Sequence, residues 1–155
     1  MKRDVILTKP LTSSFLSCEK DAELILKKLL VSSRPYSDVL KKLLMIQNKD
    51  CLDNPVYNEK IKDVSVAQLR ERGYILLEPR IKMNEHEEVK AYIVISFDNF
   101  VPSSNPEFRD CTVNFDIICH TDYWDVGNYR MRPLKIAGYI DGLLNKTRLS
   151  GIGTF

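Results

Sequence analysis

The chain has 155 residues, 44% of them apolar and 28% charged, with a formal net charge of +2. This is one domain's length with an ordinary globular composition, and it is large enough to bury a core without disulfide or metal staples. No run of about eighteen apolar residues exists to cross a membrane, and "MKRDVILTKP" has no apolar stretch long enough for a signal peptide, so a cytoplasm-like compartment is expected.

The small net charge hides a segregation. Residues 1–49 hold ten Lys/Arg against five Asp/Glu, residues 50–126 hold eight against fifteen, and residues 127–155 hold five against one. A dedicated nucleic-acid binder would show one dominant basic face, which this division does not supply. Oppositely charged surfaces suit subunit association; equally, they are solvated faces whose signs cancel in three dimensions.

In chain order, residues 1–16 read as an extended arm, with Val5, Ile6 and Leu7 ahead of Pro10. Ser17 can cap a helix running to about Val31, with Glu19, Asp21 and Glu23 near its positive end. Ala22, Ile25, Leu26, Leu29 and Leu30 form its apolar stripe. Pro35 then opens a second helix to about Gln47, with Val39, Leu40, Leu43 and Leu44 as its stripe. Residues 17–47 are thus a helical pair, and residues 48–64 read as a loop. Ser65 and Gln68 make a capping box for a short helix ending at Gly73.

"YILLEPRI" follows as a strand, with Pro79 marking an edge or a bend. "KMNEHEE" is an acidic turn. Two alternating runs come next, about 89–98 and 110–121. Ala91, Ile93, Ile95 and Phe97 share one face of the first, and Cys111, Val113, Phe115, Ile117 and Cys119 one face of the second. A last helix is expected over about 132–146, with Leu134, Ala137, Ile140 and Leu144 along one side and Ile136 and Leu143 widening it. "GIGTF" starts a further strand. The order is α+β: a mainly antiparallel sheet of three to four strands flanked by helices, in a single domain spanning 1–155, with residues 74–155 as the sheet-plus-helix core.

No catalytic motif stands out. The four cysteines lack metal spacing, and Cys111 and Cys119 act as small hydrophobes on a strand face. His86 lies in the acidic turn. Cys119 and His120 are adjacent on a strand, so their side chains point to opposite faces and cannot form a nucleophile–base pair. Glu88-Val89-Lys90, with Asp98 or Asp116, has the local form of a metal-dependent nuclease. Such a triplet also arises by chance in a chain this charged. Asp122, Tyr123, Trp124 and Asp125, with Tyr129 nearby, form the one aromatic patch outside the strands, suited either to closing a sheet end or to an interface. No cofactor, metal or small-molecule substrate is expected.

Between the two long strands lies "DNFVPSSNPEFRD", thirteen residues where two to five suffice to reverse direction. Asp98, Phe100, Val101, Glu107, Phe108, Arg109 and Asp110 belong to this long projecting hairpin loop, which reads as a subunit or lumen contact.

The strand "TVNFDIICH", the break "TDYWDVGNYRMRP", the following amphipathic helix and "LSGIG" together resemble the tail-terminator and neck ring proteins of tailed bacteriophages, over about residues 74–155. The helices of 17–47 are less typical of that group. The resemblance implies a structural subunit without enzymatic activity, forming a homo-oligomeric ring at the head–tail junction. Its neighbours would be other junction or tail-tube proteins, it would reside in the virion after assembly in the host cytoplasm, and passing DNA would be contacted non-specifically. Carboxylates such as Glu85, Asp98, Glu107 and Asp110 would keep the lumen from gripping phosphates. Two other classes stand beside this one: a soluble adaptor using the same hairpin, and the nuclease.

Overall fold

The computed structural model describes residues 18–77, 90–105, 109–149 and 152–155. Helix α1 (Cys18–Lys27) runs into a wider π-type turn, Lys28–Ser32, and Pro35 stands at the N-cap of α2 (Tyr36–Met45). Their apolar stripes do what the spacing requires. Ala22, Ile25, Leu26, Leu29 and Leu30 of the first segment are buried, as are Leu40, Leu43 and Leu44 of the second, while Val39 is half-buried. Full burial of each such leucine or isoleucine is worth about 1.5–3 kcal/mol. Ser17 and the extended segment 1–16 lie outside the described residues.

The stretch 48–64 is not all loop. It contains α3 (Tyr57–Ile61), whose Tyr57 and Ile61 are buried. Their four-residue spacing puts both on one helical face, a signal too short to stand out from the surrounding polar residues. Helix α4 (Val66–Glu71) has the expected capping box: Ser65 Oγ accepts from Gln68 N–H, and Ser65 N–H donates to Gln68 Oε1 at 2.9 Å. It ends at Gly73, at φ +69°, with Gly73 N–H bonded to Arg70 O and Tyr74 N–H to Leu69 O, each at 2.9 Å. That pair of bonds satisfies the last carbonyls of the helix.

Strand β1 (Ile75–Leu76) is shorter than expected among the described residues and runs parallel to β2 (Ala91–Pro102). Pro79 and the acidic turn 82–88 lie outside them. β2 pairs antiparallel with β3 (Arg109–Cys119), giving the order β1-β2-β3. Ala91, Ile93 and Ile95 pack on the helices, and Tyr92 and Val94 on the opposite face are also buried. On β3, Val113, Phe115 and Ile117 are only half-buried, and Cys111 is exposed rather than packed.

Helix α5 (Arg132–Leu144) closes the core through Ile136, Ile140 and Leu144. One expectation fails here. Leu134, expected along the inward side, is 64% exposed, because Pro133 in the first turn and Ile136 set the buried face. β4 (Arg148–Leu149) and β5 (Gly153–Thr154) pair with each other as a separate two-stranded ladder. The helical pair and the sheet contribute to one contiguous apolar cluster.

Candidate functional site: a hairpin arm and an aromatic corner

The segment read as a thirteen-residue loop is mostly paired strand. The β2–β3 ladder runs unbroken from Ala91 opposite Cys119 to Asp98 opposite Thr112, then resumes with Val101 opposite Asp110 and Pro102 opposite Arg109. Between these rungs β2 advances three residues and β3 two, so β2 carries one extra residue. Asn99 absorbs it at φ +51°, its N–H donating to Asp98 Oδ1 at 2.7 Å. Such a bulge bends and twists the ribbon beyond it. The connection proper is 103–108, six residues between the strand ends. The long loop is therefore corrected: residues 98–102 and 109–110 belong to a bulged, paired ribbon. Continued main-chain pairing satisfies the backbone there without a core.

Along this ribbon Asp98, Val101, Arg109 and Asp110 are exposed and Phe100 is half-buried. Val101 keeps 56% of its surface in solvent, a large apolar side chain with little monomer packing. Glu107 and Phe108 lie outside the described residues, as does Glu85.

At the other end of β3 the chain enters the aromatic corner. A 3-10 turn, Thr121–Tyr123, starts where His120 Nδ1 accepts the Asp122 N–H at 3.2 Å. Asp125 then bridges to Met131, and between them Gly127, Asn128 and Tyr129 take φ of +74°, +49° and +60°. Three successive left-handed residues make a tight reversal that glycine and asparagine favour and tyrosine resists.

Three ties hold that reversal in place. Arg130 makes a forked pair with Asp53, one arm of it Nη1 to Oδ1 at 3.2 Å. The guanidinium holds the Asp53 carboxyl below its ordinary range, mainly through those hydrogen bonds. Asp125 accepts the Gly127 N–H at 2.8 Å and lies 3.2 Å from Lys49 Nζ; these, in that order, lower its carboxyl as well.

The third tie is Arg132, a residue that sequence reasoning missed. Its side chain is 1% exposed and faces carbonyls instead of a carboxylate. Nε donates to Tyr123 O at 2.7 Å, Nη1 to Leu43 O and Ile46 O, and Nη2 to Gln47 O and Asn48 O, all within 2.5–3.3 Å. The last carbonyls of α2 have no intrahelical donors and carry partial negative charge, so a buried cation is stabilised there. The fork geometry lets one side chain serve all five.

The corner thus has a rigid base and an apolar surface. Tyr123 is half-buried, facing His120 with ring centroids 6.3 Å apart, and Asp122 is exposed. Trp124 is 42% exposed and Tyr129 projects wholly into solvent. Met131, bridged to Asp125 and missed by the sequence reading, is 47% exposed, and Leu134 in the first turn of α5 is 64% exposed. The signal for Leu134 was its place in the first turn of α5, where Pro133 already faces inward. The arm and the corner are not brought together: the eleven residues of β3 separate them by roughly 35 Å at about 3.3 Å per residue.

The carboxylates considered for metal chemistry do not converge. Asp98 lies opposite Thr112, four residues along β3 from Asp116, which puts them roughly 13 Å apart along the sheet at about 3.3 Å per residue. Glu88 is outside the described residues. Within those residues, no three His, Cys, Asp or Glu side chains group as metal ligands, and no helix is long and apolar enough to cross a membrane.

No curated protein and no solved structure matches this chain. The model of the YomW family matches residues 37–155, which takes in α2, the sheet, the arm, the corner and α5. With well over half of its length inside that match, the chain belongs to the YomW family, a phage-associated family.

Proposed function

We propose that this protein is a non-enzymatic structural subunit that closes into a ring at the phage head–tail junction, as a tail terminator or neck component through which DNA passes. The observation that carries the reading is the pair of unlike exposed surfaces at opposite ends of β3. One is the bulged arm with Val101 and Asp110, the other the corner with Trp124, Tyr129 and Met131. A ring requires heterologous contact, in which one surface of each subunit meets a different surface of the next. In this arrangement the arm of one subunit docks on the corner of its neighbour. Apolar Val101 meets the Trp124 surface, and aromatic side chains supply most of the contact energy. Membership of a phage-associated family supports a role in the virion. The other junction or tail-tube proteins would stack on the faces of the ring.

Negative-stain imaging of the purified chain across a concentration series tests this. Closed rings with an open lumen are expected. A monomer at every concentration would favour the adaptor reading, in which the same arm binds one partner of a different sequence.

A further inference from the structure

Strand β3 is the outer member of the three-stranded sheet, and among the described residues no strand lies beyond it. Which of its backbone groups face that open side follows from the hydrogen bonds of β2. Ile93 N–H donates to Tyr74 O, on the β1 side, at 3.0 Å. Successive residues of a strand point their N–H and C=O groups to alternate sides, so Tyr92, Val94 and Ser96 face β3. Their partners there are Ile118, Asp116 and Asn114. His120 N–H, bonded to Lys90 O, continues the same series. Val113, Phe115 and Ile117 therefore turn their N–H and C=O groups outward.

The side chains of these three face the helices, and Phe115 and Ile117 form one wall of a groove of about 420 Å³. Ile140 and Leu144 of α5 and Phe155 also line it, together with the Asp141 carboxylate. An open edge beside an apolar groove suits an added strand: main-chain bonds seat it, and its alternate side chains enter the groove.

The occupant is indicated by where the chain enters the described residues. Cys18, at the start of α1, lies with Ile95, Ser96 and Phe97 around a second, smaller groove. Ile95 and Phe97 are the partners of Phe115 and Val113, so the preceding segment joins the fold one strand away from the open edge. Residues 1–17 themselves lie outside the described residues. Their sequence holds Val5 and Leu7 two positions apart, with Lys2, Arg3 and Lys9 around them against Asp4 alone. Two apolar residues at that spacing share one face of a strand, and the flanking cations complement Asp116 and Asp141. The stretch 78–89, also outside the described residues, carries Glu78, Glu85, Glu87 and Glu88 and lacks that complementarity. Reach is no obstacle: Pro10 to Ser17 cover up to roughly 26 Å at about 3.3 Å per residue, and the added position is two strand spacings from β2, roughly 10 Å.

We propose that residues 5–9 pair antiparallel with the outer edge of β3 in the same molecule, with Val5 and Leu7 in the groove. Docked there, the segment closes an eleven-residue edge that is otherwise a template for pairing with other chains. The contact uses neither Val101 nor the aromatic corner, so it is independent of whether the chain forms rings.

Amide hydrogen exchange of the full chain, read residue by residue by NMR at two protein concentrations, tests this. The Phe115 and Ile117 amides should exchange as slowly as those of Asn114 and Asp116, and equally so at both concentrations. In the double variant Val5→Asp, Leu7→Asp, the Phe115 and Ile117 amides should lose that protection while Asn114 and Asp116, bonded to β2, keep it. Should the double variant lose protection at all four, the single variant Leu7→Ser repeats the comparison with a smaller change. Fast exchange at Phe115 and Ile117 in the wild type overturns the proposal, because the edge is then open. Protection that grows with concentration, or that survives the substitutions, overturns it as well, because a second copy or another segment then covers the edge.

Discussion

The Arg132 guanidinium donates to the Leu43 carbonyl across 89 positions of sequence, tying the first turn of α5 to the end of α2. The same side chain holds Tyr123 O, so the aromatic corner, α2 and α5 share one fastening.

Arg132→Met keeps much of the volume but leaves several buried carbonyls unpaired, at about 1–3 kcal/mol each. A loss of about 3 kcal/mol or more is expected in urea unfolding, with a midpoint about 6–12 °C lower on heating. Arg132→Lys retains the charge without the fork and should fall between the two. Wild-type stability in Arg132→Met would remove the corner's structural basis.

Asp53 supplies a pH-dependent tie. Its folded-state pKa is depressed by Arg130, so its contribution is fully present above the ordinary value of 3.8 and is lost as pH falls through the lower native value. Comparing urea midpoints of wild type and Asp53→Asn should give a gap in favour of wild type at pH 6 that closes in strongly acidic solution. A gap that persists at the acid end would mean the ion pair is not its source.

Gly138 and Gly142 sit inside α5 with open space where a Cβ would go. Alanine at either position should stabilise the chain by about 0.5–1 kcal/mol, since glycine's extra freedom in the unfolded state is removed without a clash. Chemical denaturation of the two single variants reads this directly. Destabilisation would place a neighbour against that face.

Much of the scaffold was legible in the sequence because its signals are local. The stripes Ile25–Leu26–Leu29 and Leu40–Leu43–Leu44, the Ser65–Gln68 box, Gly73 and the alternation from Ala91 to Phe97 each need only neighbouring residues to be read. What was not legible depends on contacts distant in sequence or on competition for one face. Arg132 looks like an ordinary surface cation until the end of α2 and the segment 46–48 after it bring four carbonyls to it. Leu134 fits a helical stripe as well as Ile136 does, and only the docking of α5 on β3 decides between them. The polar, proline-bearing stretch 98–110 resembled a loop, because a bulged exposed ribbon has no apolar alternation to announce it. In the corner, residues 122–125 and 129 are near neighbours in sequence, while the exposure of Met131 and Leu134 follows only from the fold.

The exposed surfaces carry a separable expectation. Tyr129→Ser and Val101→Ser change side chains with little monomer packing, so each should leave unfolding free energy within about 0.5 kcal/mol. Both should reduce self-association, measured by sedimentation. A variant that unfolds the monomer would instead show its side chain to be structural.

The central claim is that the arm of one subunit meets the corner of the next, and mixing two defective chains tests it most directly. Val101→Asp spoils only the arm, and Trp124→Asp with Tyr129→Asp spoils only the corner, so native mass spectrometry should find each variant monomeric on its own. An equimolar mixture should form a heterodimer and stop there, because one intact arm and one intact corner remain and the next contact is blocked. A mixture that stays monomeric while wild type assembles, or a wild type that never assembles, contradicts the account.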